Sequence, residues 1–143
     1  MSLTRARLWQ LPRLLAILWA GTRAGPVARR HDEDIWALAK LVVQGKVQVW
    51  REAGKVRAFI ARDGVRIHAL YTEPQWRGRG AGAQLVREAM DTIEWLELWT
   101  AQANAGARRF YGAQGFREMR LTQGEGNDEG VPDVFMKWER QRR

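Results

Sequence analysis

The chain has 143 residues, 45% of them hydrophobic and eight of them tryptophan, and 24 Lys and Arg against 16 Asp and Glu give a net charge of +8. Such a length and apolar content exclude disorder and predict one domain, residues 1–143, with a core of its own. There is no cysteine, which excludes disulfides, thiolate metal sites and a covalent cysteine intermediate and fits a reducing, cytoplasmic setting.

Arg5, Arg7 and Arg13 precede an apolar run over residues 14–20. Seven residues cannot cross a bilayer. Leu8, Leu11, Leu15 and Leu18 recur at helical spacing instead, so residues 11–22 are expected to form an amphipathic helix with Pro12 tolerated in its first turn. A loop through Gly25-Pro26 follows. Asp32 is expected to cap a second helix with Ile35, Leu38, Ala39 and Val42 on its apolar face, closed by Gly45. Residues 47–51, 56–61 and 65–71 then alternate as strands, turning at Ala53-Gly54 and Asp63-Gly64, which predicts an antiparallel meander.

Beyond a glycine-rich turn, Leu85, Val86, Ala89, Met90 and Ile93 form the stripe of a helix over residues 83–93. Residues 96–100 make the next strand. Strand, helix and strand form a crossover unit, so these two strands are expected to be parallel neighbours. A helix over residues 105–113, a strand from Gly115-Phe116 to Leu121, a loop from Gly124 to Gly130 and a strand over residues 131–138 complete the chain. The expected fold is α/β: a mixed, mainly antiparallel sheet with helices on both faces.

The turn is Thr72-Glu73-Pro74-Gln75-Trp76-Arg77-Gly78-Arg79-Gly80-Ala81-Gly82. Glycines that leave amide hydrogens free, placed at a helix start, suit a phosphate or pyrophosphate. A dinucleotide fingerprint would place its glycines directly after the strand, but Glu73-Pro74-Gln75-Trp76 intervenes. A nucleotide-triphosphatase loop needs Gly-Lys-Ser/Thr, and here Ala83-Gln84 follows Gly82.

Arg77-x-x-Gly80-x-Gly82 after a strand resembles the acetyl-CoA signature of the GNAT superfamily of N-acetyltransferases. Asn104-Ala105-Gly106-Ala107-Arg108-Arg109-Phe110-Tyr111-Gly112-Ala113-Gln114-Gly115-Phe116 is similar to that family's second block. Two blocks in order, one helix and one strand apart, are more specific than either alone. The resemblance implies that acetyl-CoA is the cofactor and CoA the product, with the pyrophosphate on the amides of Arg77, Gly78, Arg79, Gly80, Ala81 and Gly82. It implies that the pantetheine arm pairs with Leu70, Tyr71 and Thr72 where this strand splays from its parallel neighbour. Asn104 would hold the cofactor and Ala107 would pack against it. The acceptor would be a primary amine on a small molecule, peptide or protein, received by the first two helices and the final loop.

Acetyl transfer needs a neutral amine, a polarised thioester and a protonated leaving thiolate. Tyr111 matches the family's general acid, and a backbone amide within residues 70–72 would stabilise the oxyanion. Without cysteine, direct transfer in a ternary complex is expected. His68 is the candidate base; its alternative is a histidine hydrogen-bonded on a strand. Glu73 and Glu97 are weaker candidates, and Asn104 also suits a helix cap. The carboxylates of the loop 124–130 lack calcium-loop spacing, and no metal site is expected. Trp36, Trp50, Trp76, Trp95 and Trp99 are candidates for a pocket or for the core.

Two alternatives stand beside catalysis. One is a degenerate relative that binds CoA or acetyl-CoA as a regulatory ligand. The other is a nucleic-acid-associated accessory protein, which the charge permits but no basic helix, aromatic platform motif or zinc-finger spacing supports. A homodimer is possible on the family's pattern, and no membrane association is expected.

Overall fold

The structure is a computed structural model that describes residues 2–22, 31–127 and 130–141. The expected Gly25-Pro26 loop, Arg29-Arg30, Asp128, Glu129, Arg142 and Arg143 lie outside the described residues.

A seven-stranded sheet runs in the order β1-β2-β3-β4-β5-β7-β6. Its strands are β1 (Ser2–Arg5), β2 (Val47–Glu52), β3 (Lys55–Asp63), β4 (Arg66–Thr72), β5 (Trp95–Ala101), β6 (Arg117–Leu121) and β7 (Asp133–Glu139). Every neighbouring pair is antiparallel except β4 and β5. The helices are α1 (Leu11–Thr22), α2 (His31–Val43), α3 (Ala81–Thr92) and α4 (Ala105–Ala113). The meander, the crossover and the final antiparallel strands thus match the expected α/β fold.

The alternation of side chains along each strand sorts the interior into two cores, one on either face of the sheet. Ala58, Ile60, Ile67, Leu96, Leu98, Val134 and Met136 pack with Leu85, Val86 and Ala89 of α3 and Tyr111 of α4. Val47, Val49, Phe59 and Ala61 pack on the other face with Leu14, Ile17 and Leu18 of α1 and Leu38 and Val42 of α2. At roughly 1.5–3 kcal/mol for each fully buried aliphatic side chain, these two layers hold the helices to the sheet.

Local signals explain most boundaries. Gly45 is left-handed at φ 74°, its N–H donates to Val42 and that of Lys46 donates to Leu41, which is the Schellman closure of α2. Ala53 and Gly54 both have positive φ, the geometry of a two-residue hairpin turn between β2 and β3. Two expectations change. Asp32 lies inside the first turn of α2 rather than at its cap, because the helix already begins at His31; there its charge, with Glu33 and Asp34, faces the helix's positive end. The segment before α1 holds an unexpected strand, β1, paired to β2 through Leu3 and Trp50.

The pairing of β4 and β5 positions the site. Their only ladder contact is Arg66 with Glu97, closed by the Glu97 N–H donating to Val65 at 2.8 Å. From there to Thr72 and Ala101 the strands run apart. The sheet is open at that end.

Candidate active site

A cleft of about 860 Å³ occupies the gap. It is bounded by the end of β4, the turn into α3, the end of β5, the start of α4 and the last turn of α1. Because Leu70 belongs to the α3 side and Tyr71 packs on the α1 side, the cleft passes through the sheet.

The turn after β4 begins as a short 3-10 helix, Pro74–Trp76. Gly78 and Gly80 then adopt φ of 79° and 86°, a region costing other residues about 1–2 kcal/mol. A β-carbon at either glycine would meet nothing within 4 Å. Gly80 is the N-cap of α3 and has no side chain to satisfy the helix start. The first turn bond is Gln84 N–H to Gly80, so the amides of residues 78–83 find no acceptor among the described residues. Several unpaired donors at a positive helix end face open space, the arrangement that accepts a diphosphate. Gly82 serves a different purpose. A β-carbon there would stand 3.4 Å from Phe110 Cζ, so its absence lets α3 approach α4.

Along the end of β4, one edge pairs with β3 and the other is released by the parting of β5. Alternate amides of an antiparallel strand point to its free side, so residues 70–72 offer main-chain partners to an extended ligand. Across the cleft, Asn104 Oδ1 accepts the Ala107 N–H at 3.0 Å and caps α4. Its side-chain nitrogen makes no hydrogen bond among the described residues, so cap and ligand contact are compatible.

Tyr111 is 7% exposed, wedged between Phe110 and Phe116 at ring distances of 5.2 Å each. Burial raises its phenol well above the usual range, and the nearby Tyr71 phenol adds to the rise. Tyr111 therefore keeps its proton through neutral pH.

Leu70, Tyr71, Thr72, Arg77, Gly78, Gly80, Ala81, Gly82, Asn104, Ala107 and Tyr111 all line this one cleft. Two expected site residues do not. Arg79 stacks its guanidinium over the Trp76 ring at 4.3 Å, leaving Arg77 as the cation of the lining. His68 is exposed, at a register shift in the β3–β4 ladder that pairs Ala61 with Ala69 and Arg62 with Ile67, and it is not part of the lining. The extra residue on β4 at this shift is His68 itself, as in a β-bulge. Glu73 and Glu97 are committed to ion pairs, with Arg13 and Arg57 and with Arg66 respectively. The titratable side chains lining the cleft among the described residues are Tyr71, Arg77 and Tyr111. Trp76, one of the tryptophans offered for a pocket, lines it, and so does Gly21, which sequence reasoning missed. A glycine inside an apolar helix was the available signal for Gly21.

Comparison with known proteins accords with this geometry. A family model described as "Acetyltransferase (GNAT) domain" matches residues 36–140. An uncharacterized N-acetyltransferase of Methanocaldococcus jannaschii is 34% identical over 68 residues, which is 44% of this chain but only 30% of that protein's length. The solution structure of apo-form YjaB from Escherichia coli superposes with a TM-score of 0.79 at 22% identity, covering 96% of each chain. The PaiA N-acetyltransferase of Thermoplasma acidophilum, solved in complex with coenzyme A, gives 0.75 at 16% identity, covering 97% of this chain and 98% of that one. At these identities the superpositions describe a shared fold.

Proposed function

Because the chain belongs to the GNAT acetyltransferase family, we propose that it transfers the acetyl group of acetyl-CoA to a primary amine, directly and within a ternary complex. The observation that carries this reading is the row of amides at residues 78–83 that find no acceptor among the described residues, in a turn that lines the same cleft as the buried, protonated Tyr111. The residues fit the cofactor: open cradles at Gly78 and Gly80 for the diphosphate, and a free strand edge at residues 70–72 for the pantetheine arm.

Acetyl-CoA supplies the activated acyl group as a thioester. The amides of residues 78–83, helped by the dipole of α3 and by Arg77, neutralise diphosphate charge. The free edge of β4 would orient the pantetheine arm, and an amide within residues 70–72 would donate to the thioester carbonyl oxygen as negative charge develops there. Tyr111 donates a hydrogen bond to the departing sulfur. The acceptor enters from the α1 side, past Gly21 and Tyr71. No carboxylate or imidazole stands among the described lining residues, so the amine's proton is passed to water in the cleft rather than to His68. Without cysteine, an acyl-cysteine intermediate has no place in the scheme.

Calorimetric titration with acetyl-CoA, followed by acetylation assays on a panel of small amines and peptides, tests the reading. Micromolar binding with acetyl transfer to one class of amine supports it. Binding without transfer to any amine would favour a regulatory ligand instead.

A further inference from the structure

The turn that carries the free amides is itself held by a cluster of charges outside the cleft. Glu73, the residue immediately after β4, accepts from Arg13 of α1 at 2.7 Å and from Arg57 of β3 at 2.9 Å through the same oxygen, Oε2. Both arginines are pinned elsewhere too: Arg13 donates to the Val56 carbonyl at 3.0 Å, and Arg57 to that of Glu52 at 3.1 Å. The Arg57 guanidinium also lies 4.3 Å from the ring centre of Trp76, as does that of Arg79. Trp76 meets Trp50 edge-on at 6.4 Å, and the Trp50 indole donates to Gln84 in the first turn of α3. A continuous set of contacts therefore runs from Glu73 through Arg57 and Trp76 to Arg79, and through Trp50 to α3.

Resting on the acetyl-CoA reading above, we infer that Glu73 is a positioning residue for the diphosphate-binding turn, acting through Arg57 and the stacked Trp76 and Arg79. Glycines at 78 and 80 give the turn its shape but also its freedom, since glycine forgoes the steric limits that other residues impose. Preorganised amides bind an anion better than amides that must first be ordered, because the ordering cost is subtracted from affinity. Glu73 supplies that order. Its carboxylate holds two guanidiniums together; without the negative charge, Arg13 and Arg57 repel each other, and Arg57 leaves the Trp76 face. Trp76 lines the cleft, so its displacement reaches the site directly. Glu73 touches no substrate in this scheme, and its loss is expected to weaken cofactor binding while leaving the chemical step intact.

The test compares CoA binding by calorimetry for the wild-type chain, Glu73→Gln and a control, Val47→Ala. Val47 is fully buried against α1 and α2, so the control lowers stability without touching the turn. The expected result is a CoA affinity at least tenfold weaker in Glu73→Gln, an affinity within twofold of wild type in Val47→Ala, and an acetyl-CoA KM that rises in Glu73→Gln while kcat at saturation holds. Arg13→Gln, which removes one of the two donors, should show an intermediate loss and keeps the test open if Glu73→Gln does not fold. Unchanged affinity in the Glu73 and Arg13 variants, or an equal loss in Val47→Ala, overturns the inference. A wild-type chain that binds no CoA defeats the cofactor reading itself and this inference with it, an outcome distinct from wild-type binding that Glu73→Gln retains.

Discussion

Gly21 and Tyr71 touch so closely that a β-carbon on Gly21 would stand 2.5 Å from Tyr71 Cδ1 and 2.9 Å from Cε1. The ring is backed by Phe59, 6.0 Å away between centres, and Gly21 and Tyr71 line the cleft. Gly21→Ala must therefore shift the Tyr71 ring or the end of α1. The expected outcome is a several-fold higher KM for the amine with CoA affinity within twofold of wild type. Steady-state kinetics on the best acceptor, paired with calorimetry on CoA, separate the two.

Gly80→Val combines a strained left-handed backbone, at about 1–2 kcal/mol, with a side chain projecting into the cradle. CoA affinity should fall at least tenfold. Gly82→Val presses on Phe110 instead, so it should disturb the seat of α4 and lower the melting temperature as well. A Gly80 variant that binds CoA as wild type does would remove the turn from the site.

Tyr111→Phe deletes the hydroxyl while keeping the ring that packs between Phe110 and Phe116. If the phenol assists the leaving sulfur, kcat should drop by about 10²-fold or more, the scale of positioned acid catalysis, with little change in CoA affinity. Unchanged turnover would show that the thiolate departs without it.

Glu73 also makes a prediction about pH. Burial alone raises its carboxyl, but the hydrogen bonds and charges of Arg57 and Arg13 outweigh burial and hold it below its ordinary value of 4.5. A carboxylate depressed in the folded state contributes stability that is fully present above the unfolded value and is lost as pH falls through the folded one. The melting-temperature gap between wild type and Glu73→Gln should thus be constant at neutral and mildly acidic pH and narrow as pH falls below the ordinary value of 4.5. A gap independent of pH would mean that charge is not what Glu73 contributes.

The parts of the fold legible in the sequence are those specified locally. The α3 stripe, the glycines of the turn and the Asn104 to Phe116 block each state their structure within a short stretch of chain. β1 was not legible, because Ser2–Arg5 carries one apolar residue, Leu3, and becomes a strand only by pairing with β2. The bulge at His68 was not legible for a related reason: it depends on the register of β3 against β4, which no window of β4 contains. The Trp76 stack joins Arg57 of β3 to Glu73 and Arg79 of the turn, and a single chain read in order does not announce such a meeting.

The parting of β4 from β5 also bears on traffic. A sheet normally walls off one side of a protein from the other, yet here a passage joins the α3 and α4 side to the α1 side. The two reactants would then use separate doorways and meet only in the middle. CoA would leave by the way it came without crossing the path of the acetylated amine, so a bulky acceptor such as the end of a polypeptide need not withdraw before the spent cofactor is exchanged.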